Sequence, residues 1–322
     1  MPVNTTSSSW RPSPRSAPTL RVPALVDGYT SAMTDGGGPE LASLAALGGG
    51  PVMVIGGAED HVRDKVILSR FVKLAGGTDG HVVVISTASS LGDRATQVYR
   101  DLFAKLGVGT VTGVRPEERA EADDPATAAM LRDATGVYLT GGNQSRLTQV
   151  VAGTKLADAL FLAHDRGAVL AGTSAGASAM ASHMVAFGNA GPTPKNRMVQ
   201  LSAGLGILSG LVIDQHFGER GRIGRLMALV AQSPSLLGVG VDEDTCAIVF
   251  PDRTLTVIGK GAITIVDGAH VKTDAYRGKG YKPLMVSGAV LHSLPAGYWF
   301  DLRGRRLLAA EGALEDEREA SE

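Results

Sequence analysis

From Pro51 onward, short runs of consecutive apolar residues alternate with longer stretches of helical periodicity, which leaves the chain few folds to adopt. Val52-Met53-Val54-Ile55, Val82-Val83-Val84-Ile85, Val137-Tyr138-Leu139 and Ala168-Val169-Leu170 have no polar residue facing either side. A strand with one face in water alternates in polarity. A strand apolar throughout is covered on both faces, as in a parallel sheet between helices. Residues 66–75, 96–106, 126–133 and 145–162 (interrupted near Gly153) supply the helical spacing, and residues 108–114 fit a further strand. The expected class is therefore α/β, a mostly parallel sheet flanked by helices. After about residue 240 the texture changes to short strand-like runs over 238–250, 255–258, 262–266, 270–272 and 285–294, read as a β-rich C-terminal completion of the same domain, 51–310. Residues 1–50, rich in Ser, Pro, Thr and Gly, read as a disordered or loosely packed arm, and residues 311–322 as an acidic solvated tail.

Composition removes several function classes. The net charge of −1, with 20% charged residues, supplies no field for nucleic acid or an anionic membrane. No apolar stretch approaches the roughly 18 residues of a membrane span, and no apolar run of a secretory signal opens the chain. The single Cys246 excludes an internal disulfide and suits a reducing, cytoplasmic compartment; its apolar surroundings read as a buried thiol. No Cys/His cluster points to a metal. Gly141-Gly142-Asn143-Gln144 lacks a P-loop's spacing and lysine, and no G-x-G-x-x-G follows the first strand, so no cofactor is expected.

In parallel sheets, function collects at the carboxyl ends of the strands. Several glycine-rich or polar loops fall there, and one is Gly172-Thr173-Ser174-Ala175-Gly176. That G-x-S-x-G pattern turns a strand sharply into a helix with the serine at the apex, and the next N–H points where an oxyanion forms. Ser174 is the candidate nucleophile, with Ala175 and Gly142 as candidate oxyanion donors. A serine needs a base. Of seven histidines, His216 ends its own apolar run, after Ile213-Asp214-Gln215. Arg220, Arg222 and Arg225 follow at an expected helix start; composition favours a solvated basic face, while the spacing also fits carboxylate recognition.

Together these segments resemble the serine peptidase family that contains cyanophycinases and peptidase E. The resemblance rests on Ile55-Gly56-Gly57-Ala58-Glu59-Asp60, on 86–90, on Leu139 through Leu147, on Gly172 through Met180, on 213–217 with the three arginines, and on Val241-Asp242-Glu243-Asp244-Thr245. It implies a flavodoxin-like or glutamine-amidotransferase-like sandwich and a homodimer. The implied activity is hydrolysis of cyanophycin, a poly-aspartate bearing arginine on its side chains, to β-Asp-Arg. It also implies Ser174 as nucleophile, His216 as base, and Gln144, Asp214, Gln215, Arg220, Arg222 and Arg225 as the substrate-binding set. Arginines suit the free α-carboxylate of each arginyl group, and Asp214 or Glu243 its guanidinium. The family's usual acid lies between serine and histidine, yet no Asp or Glu occurs from Ala175 to Ile213. Asn189, in the loop after the elbow helix, and Glu243, or Asp214, are the candidates for a third member. The alternatives are a peptidase E-like dipeptidase acting on acidic or isoaspartyl peptides, and a catalytically impaired binding homologue.

Overall fold

The computed structural model describes residues 49–308. Apart from Gly49 and Gly50, the expected arm over 1–50 lies outside the described residues, as does the tail over 311–322.

The alternation read from the sequence folds in order: β1 (Val52–Ile55), α1 (Val66–Leu74), β2 (His81–Ile85), α2 (Asp93–Lys105), β3 (Thr110–Val114), α3 (Arg119–Ala122), α4 (Pro125–Ala129), β4 (Gly136–Leu139), α5 (Gln144–Val151), α6 (Lys155–Asp165), β5 (Val169–Thr173) and α7 (Ala175–Ala179). The five strands pair in parallel as β1-β5-β4-β2-β3. The four apolar runs are the four strands with neighbours on both sides, while β3 takes the edge and is partly exposed. Side chains alternate between faces, as strand geometry demands. Met53, Ile55, Val84 and Tyr138 pack under α1 and α2 with Phe71 and Phe103, whereas Val54, Ile85, Val137 and Leu170 face the opposite core. Truncating a ring buried like Phe71 costs about 3–5 kcal/mol.

That opposite core is shared with a second sheet. A hairpin of β6 (His183–Gly188) and β7 (Val199–Ala203) leads to β8 (Leu211–Gln215), α8 (Ile223–Gln232) and β9 (Leu237–Val241). Next come β10 (Thr245–Val249), β11 (Thr254–Gly259), β12 (Ala262–Asp267), β13 (Lys272–Thr273), β14 (Val286–Ser287), β15 (Val290–Pro295), β16 (Trp299–Asp301) and β17 (Arg306–Leu308). Strands β15-β12-β9-β8 form a four-stranded sheet whose Ile213, Val239 and Ile263 pack with Val54 and Leu170 of the large sheet. Helix α8 covers its other face through Leu226, Leu229 and Val230. Strands β10, β11, β16 and β17 extend the large sheet antiparallel beyond β1.

The run expected as one strand over 238–250 is thus two strands in different sheets. The chain leaves the small sheet after Val241, turns through Asp242-Glu243-Asp244 with Asp244 at φ 47, and enters the large sheet at Thr245. Helix α7 has only five residues, and His183, exposed, begins β6.

Candidate active site

The elbow is a contact problem before it is a chemical one. Helix α7 folds back directly onto β5 and β4. A Cβ on Gly172 would lie 2.6 Å from the Gly176 carbonyl carbon, and one on Gly176 would lie 2.3 Å from the Leu139 carbonyl oxygen. Only glycine fits both places, which is the physical content of the flanking glycines. Ser174 between them adopts φ 51, ψ −111, a conformation that costs about 1–3 kcal/mol and is retained where surrounding structure over-determines it. Its N–H donates to the Ile55 carbonyl at 2.9 Å, tying the apex to β1.

The Ser174 hydroxyl lies 2.8 Å from Nε2 of His216, and Nδ1 of His216 lies 2.6 Å from Oε1 of Glu243. Three elements meet here: the ends of β5 and β8, and the turn that crosses between the sheets. Because the Glu243 carboxylate only accepts, Nδ1 carries the proton and the Nε2 lone pair faces Ser174. Neighbours in the same turn hold Glu243 in place. The Asp242 carboxylate accepts from the N–H groups of Gly218 at 2.9 Å and Ala262 at 3.0 Å, and Thr245 Oγ1 donates to the Glu243 carbonyl at 2.9 Å. Asn189 is not near this line. It is exposed, its side-chain amide faces Tyr281, and Nδ1 already has its partner, so its candidacy as a third member is corrected.

Gly57 makes room for the imidazole. It sits at φ 102, and a Cβ there would lie 2.4 Å from Cε1 and 2.6 Å from Nε2 of His216. The ring has no free retreat, because His216 is held at φ 46 with its N–H on the Gly56 carbonyl. Gly57→Ala therefore displaces Nε2 from Ser174 and is expected to lower kcat by about a hundredfold or more, since displacements near 1 Å carry that penalty. Steady-state kinetics on the folded variant checks this; wild-type kcat contradicts it.

A residue that motif reading passed over lies beneath the elbow. Glu59, 6% exposed, accepts from Tyr138 Oη at 2.7 Å, Tyr99 Oη at 2.8 Å and Thr173 Oγ1 at 2.5 Å, with His61 Nε2 at 3.3 Å. Burial pushes its pKa up, and the hydrogen bonds from His61, Thr173 and Tyr138 outweigh that and hold it down at about 2. Since the folded value lies below the unfolded one, Glu59 stabilises the fold at neutral pH, by about 3 kcal/mol, and this is lost as pH falls from about 4.5 toward 2. The His61 pKa is raised by its hydrogen bond to Glu59, so its own stabilising contribution has the opposite pH dependence and fades as pH rises. Urea denaturation across the acid range is expected to fall off more steeply for the native protein than for Glu59→Gln; parallel profiles contradict this.

The expected ligand set divides. Asp214, 1% exposed, is bound by Nε of Arg225 at 2.6 Å and also by its Nη2; Arg225 is 5% exposed, and its Nη1 donates to the Gly188 carbonyl at 2.9 Å. These two satisfy each other inside the fold, so neither stands free for a ligand. Strand parity is the reason: Asp214 shares its face with Val212, the face that α8 covers, and Arg225 comes from α8. Arg222 turns Nη1 inward to the Gln215 carbonyl, to Gln215 Oε1 at 3.1 Å and to Asp214 at 3.4 Å, and its buried Nε has no partner among the described residues. Burial, resisted by Asp214, brings its pKa to about 10, which leaves it cationic at neutral pH. Arg220 is exposed, and its guanidinium has no partner among the described residues. Gln144, the first residue of α5 after the Asn143 cap, donates Nε2 to the Val185 carbonyl at 2.9 Å. At the Gly141–Gly142 turn it is Gly141 that comes up against Ser174, a Cβ there falling 3.4 Å from Ser174 Cβ, while Gly142 lies against the Ala88 carbonyl. Glu243 gives Oε1 to His216, and its side chain is partly exposed.

Residues 52–258 match the model of peptidase family S51. The chain belongs to this family. A cyanophycinase of Synechococcus elongatus is 40% identical over 256 residues, which cover 79% of this chain and 80% of its own. Cyanophycinases of Geminocystis herdmanii (strain PCC 6308) and Trichormus variabilis (strain ATCC 29413 / PCC 7937) are 38% and 39% identical, covering 76% and 80% of this chain and 91% and 88% of theirs. The crystal structure of a peptidase from an acI-B1 actinobacterium shares the fold, with a TM-score of 0.56 at 20% identity over 76% of this chain and 97% of that one. The S51 match runs from β1 into β11 and so contains every site residue named above. Among the described residues, no helix is long and apolar enough to cross a membrane.

Proposed function

We propose that this protein is a serine exopeptidase that hydrolyses the poly-aspartate backbone of cyanophycin to β-Asp-Arg dipeptides, with residues 51–310 as its hydrolytic domain. The observation that carries this reading is the continuous line from Ser174 Oγ through His216 to Glu243, at 2.8 and 2.6 Å, in an S51 chain about 40% identical to cyanophycinases. Ser174 Oγ bonds to the scissile carbonyl carbon while its proton passes to His216 Nε2. Glu243 stabilises the imidazolium that forms. The N–H of Ala175 and an N–H of the Gly141–Gly142 turn face the developing oxyanion; none of these donates to a backbone carbonyl among the described residues. His216 then returns the proton to the leaving nitrogen as the C–N bond breaks, and water, activated the same way, releases the acyl group and restores Ser174.

The substrate's arginyl groups present a free α-carboxylate and a guanidinium. Arg220, exposed and without a partner among the described residues, supports recognition of the carboxylate. Gln144, with Nε2 committed to the Val185 carbonyl, keeps Oε1 as an acceptor for the guanidinium. Glu243, on Nδ1 of His216, supports an active enzyme over an impaired homologue. By the family resemblance and the cysteine usage, we also propose a cytoplasmic homodimer, which sedimentation at working concentration tests.

Incubation with purified cyanophycin and, separately, with Asp-X and isoaspartyl dipeptides tests the substrate. Release of β-Asp-Arg from the polymer with negligible cleavage of the short peptides is the expected result. The reverse pattern makes the protein a dipeptidase of the same family.

A further inference from the structure

The last residue of β1 and the two after it touch the proposed nucleophile, the proposed base and the residue next to the proposed acid. Three successive carbonyls do this: Ile55 accepts from Ser174 N–H, Gly56 from His216 N–H, and Gly57 from Asp244 N–H beside Glu243, each at 2.9 Å. The Asp60 N–H adds a bond to Asp244 Oδ1 at 2.9 Å. The relative positions of nucleophile, base and acid are therefore copied from one stretch of backbone, and anything that fixes that stretch fixes all three. On its outer side the Asp60 carboxylate collects the N–H groups of residues 62–65 at 2.7 to 3.2 Å. On its inner side is Glu59.

Glu59 does not point to solvent as a loop glutamate ordinarily does. It folds back over the end of β5, where Thr173, register partner of Ile55, gives its hydroxyl to Oε2 at 2.5 Å. Oε1 is held by Tyr138 from β4 and Tyr99 from α2, at 2.7 and 2.8 Å, with His61 at 3.3 Å. Every partner is a donor. A carboxylate, which has several lone pairs and no proton, is the side chain that can take them all. A buried carboxylate whose only adjacent cation is a half-exposed histidine is an expensive way to hold a core together; apolar residues of that volume do it as well or better. What it supplies instead is a directed link between the template segment and the residue preceding the nucleophile.

We propose that Glu59, acting through Thr173 and the backbone of residues 55–57, is a positioning residue that sets the register of Ser174 against His216. The inference rests on the reading of Ser174 as nucleophile, and it separates from mere core stability as follows. A structural loss lowers the fraction of competent protein, whereas a loss of register lowers the rate of each competent molecule. Titration of active sites with a fluorophosphonate gives the first quantity, and steady-state hydrolysis of cyanophycin then gives kcat per competent site. Glu59→Gln and the nearly isosteric Thr173→Val are each expected to lower kcat per site by about ten- to a hundredfold with KM within about twofold. The double variant falls no lower than the more impaired single. A proton NMR spectrum adds a readout that needs no substrate: the low-field His216 Nδ1 proton shifts in both variants. Wild-type kcat per site and an unmoved Nδ1 resonance in folded Thr173→Val overturn the proposal, even if Glu59→Gln fails to fold. Native protein that neither hydrolyses nor titrates counts against the proposed function instead, and the resonance still decides the positioning claim.

Discussion

Ser174→Ala is expected to lower β-Asp-Arg release from cyanophycin by about 10⁵- to 10⁶-fold, the loss seen when the nucleophile of a Ser–His–acid system is removed. The loss is expected in kcat alone. The Ser174 side chain bonds only to His216, and the elbow is held by the Ser174 N–H on Ile55 and by the two close glycine contacts, none of which needs the hydroxyl. Alanine has the same backbone restrictions as serine at φ 51, so the variant keeps the fold and the polymer-binding surface. Thermal melting and polymer co-sedimentation should therefore match the native protein. Residual turnover above a thousandth of the native rate places the nucleophile elsewhere.

Glu243→Gln is expected to cost about 10³- to 10⁴-fold in kcat. The substitution preserves shape, and Asp242 and Thr245 keep the turn in place. The chemistry changes because the glutamine amide can turn its NH₂ toward Nδ1. That favours the tautomer with the proton on Nε2, facing Ser174, and the imidazolium loses its counter-charge. Asn189→Ala serves as the contrast, with an expected change of no more than about twofold, as for a surface substitution off the site. If the sizes of these two effects were exchanged, the acid would be supplied from the loop after the elbow, and the assignment of Glu243 would fail. Comparing the two variants at saturating polymer decides it.

Much of this site was legible in the sequence for simple reasons. Inner parallel strands are apolar on both faces, so β1, β2, β4 and β5 announced themselves, and with them the strand ends where Ser174 and Gln144 sit. His216 was legible because it too closes an apolar run. The acid was harder to place. Residues 238–250 read as one β-rich stretch, and nothing local showed the chain changing sheets at Asp242-Glu243-Asp244. That crossing puts Glu243 behind the imidazole, 27 residues after His216 in the chain. Asp214 and Arg225, which the resemblance implies as substrate ligands, bind each other instead. Period-two alternation from Val212 already put Asp214 on the face under α8, where a buried carboxylate needs a cation from that helix. Glu59 lay in plain view within Gly56-Gly57-Ala58-Glu59-Asp60, but its partners Tyr99, Tyr138 and Thr173 are 40, 79 and 114 residues away, and only folding brings these three donors onto one carboxylate.

The central claim is that Ser174, activated through His216 and Glu243, is the group that opens the polymer backbone. Partial inactivation with a fluorophosphonate, followed by peptide mass mapping and assay of the same samples, tests it most directly. The account predicts one adduct per chain, on Ser174, with the remaining β-Asp-Arg release equal to the unmodified fraction at every point. Full release from protein whose Ser174 is fully modified, or inactivation that tracks an adduct on another residue, contradicts it.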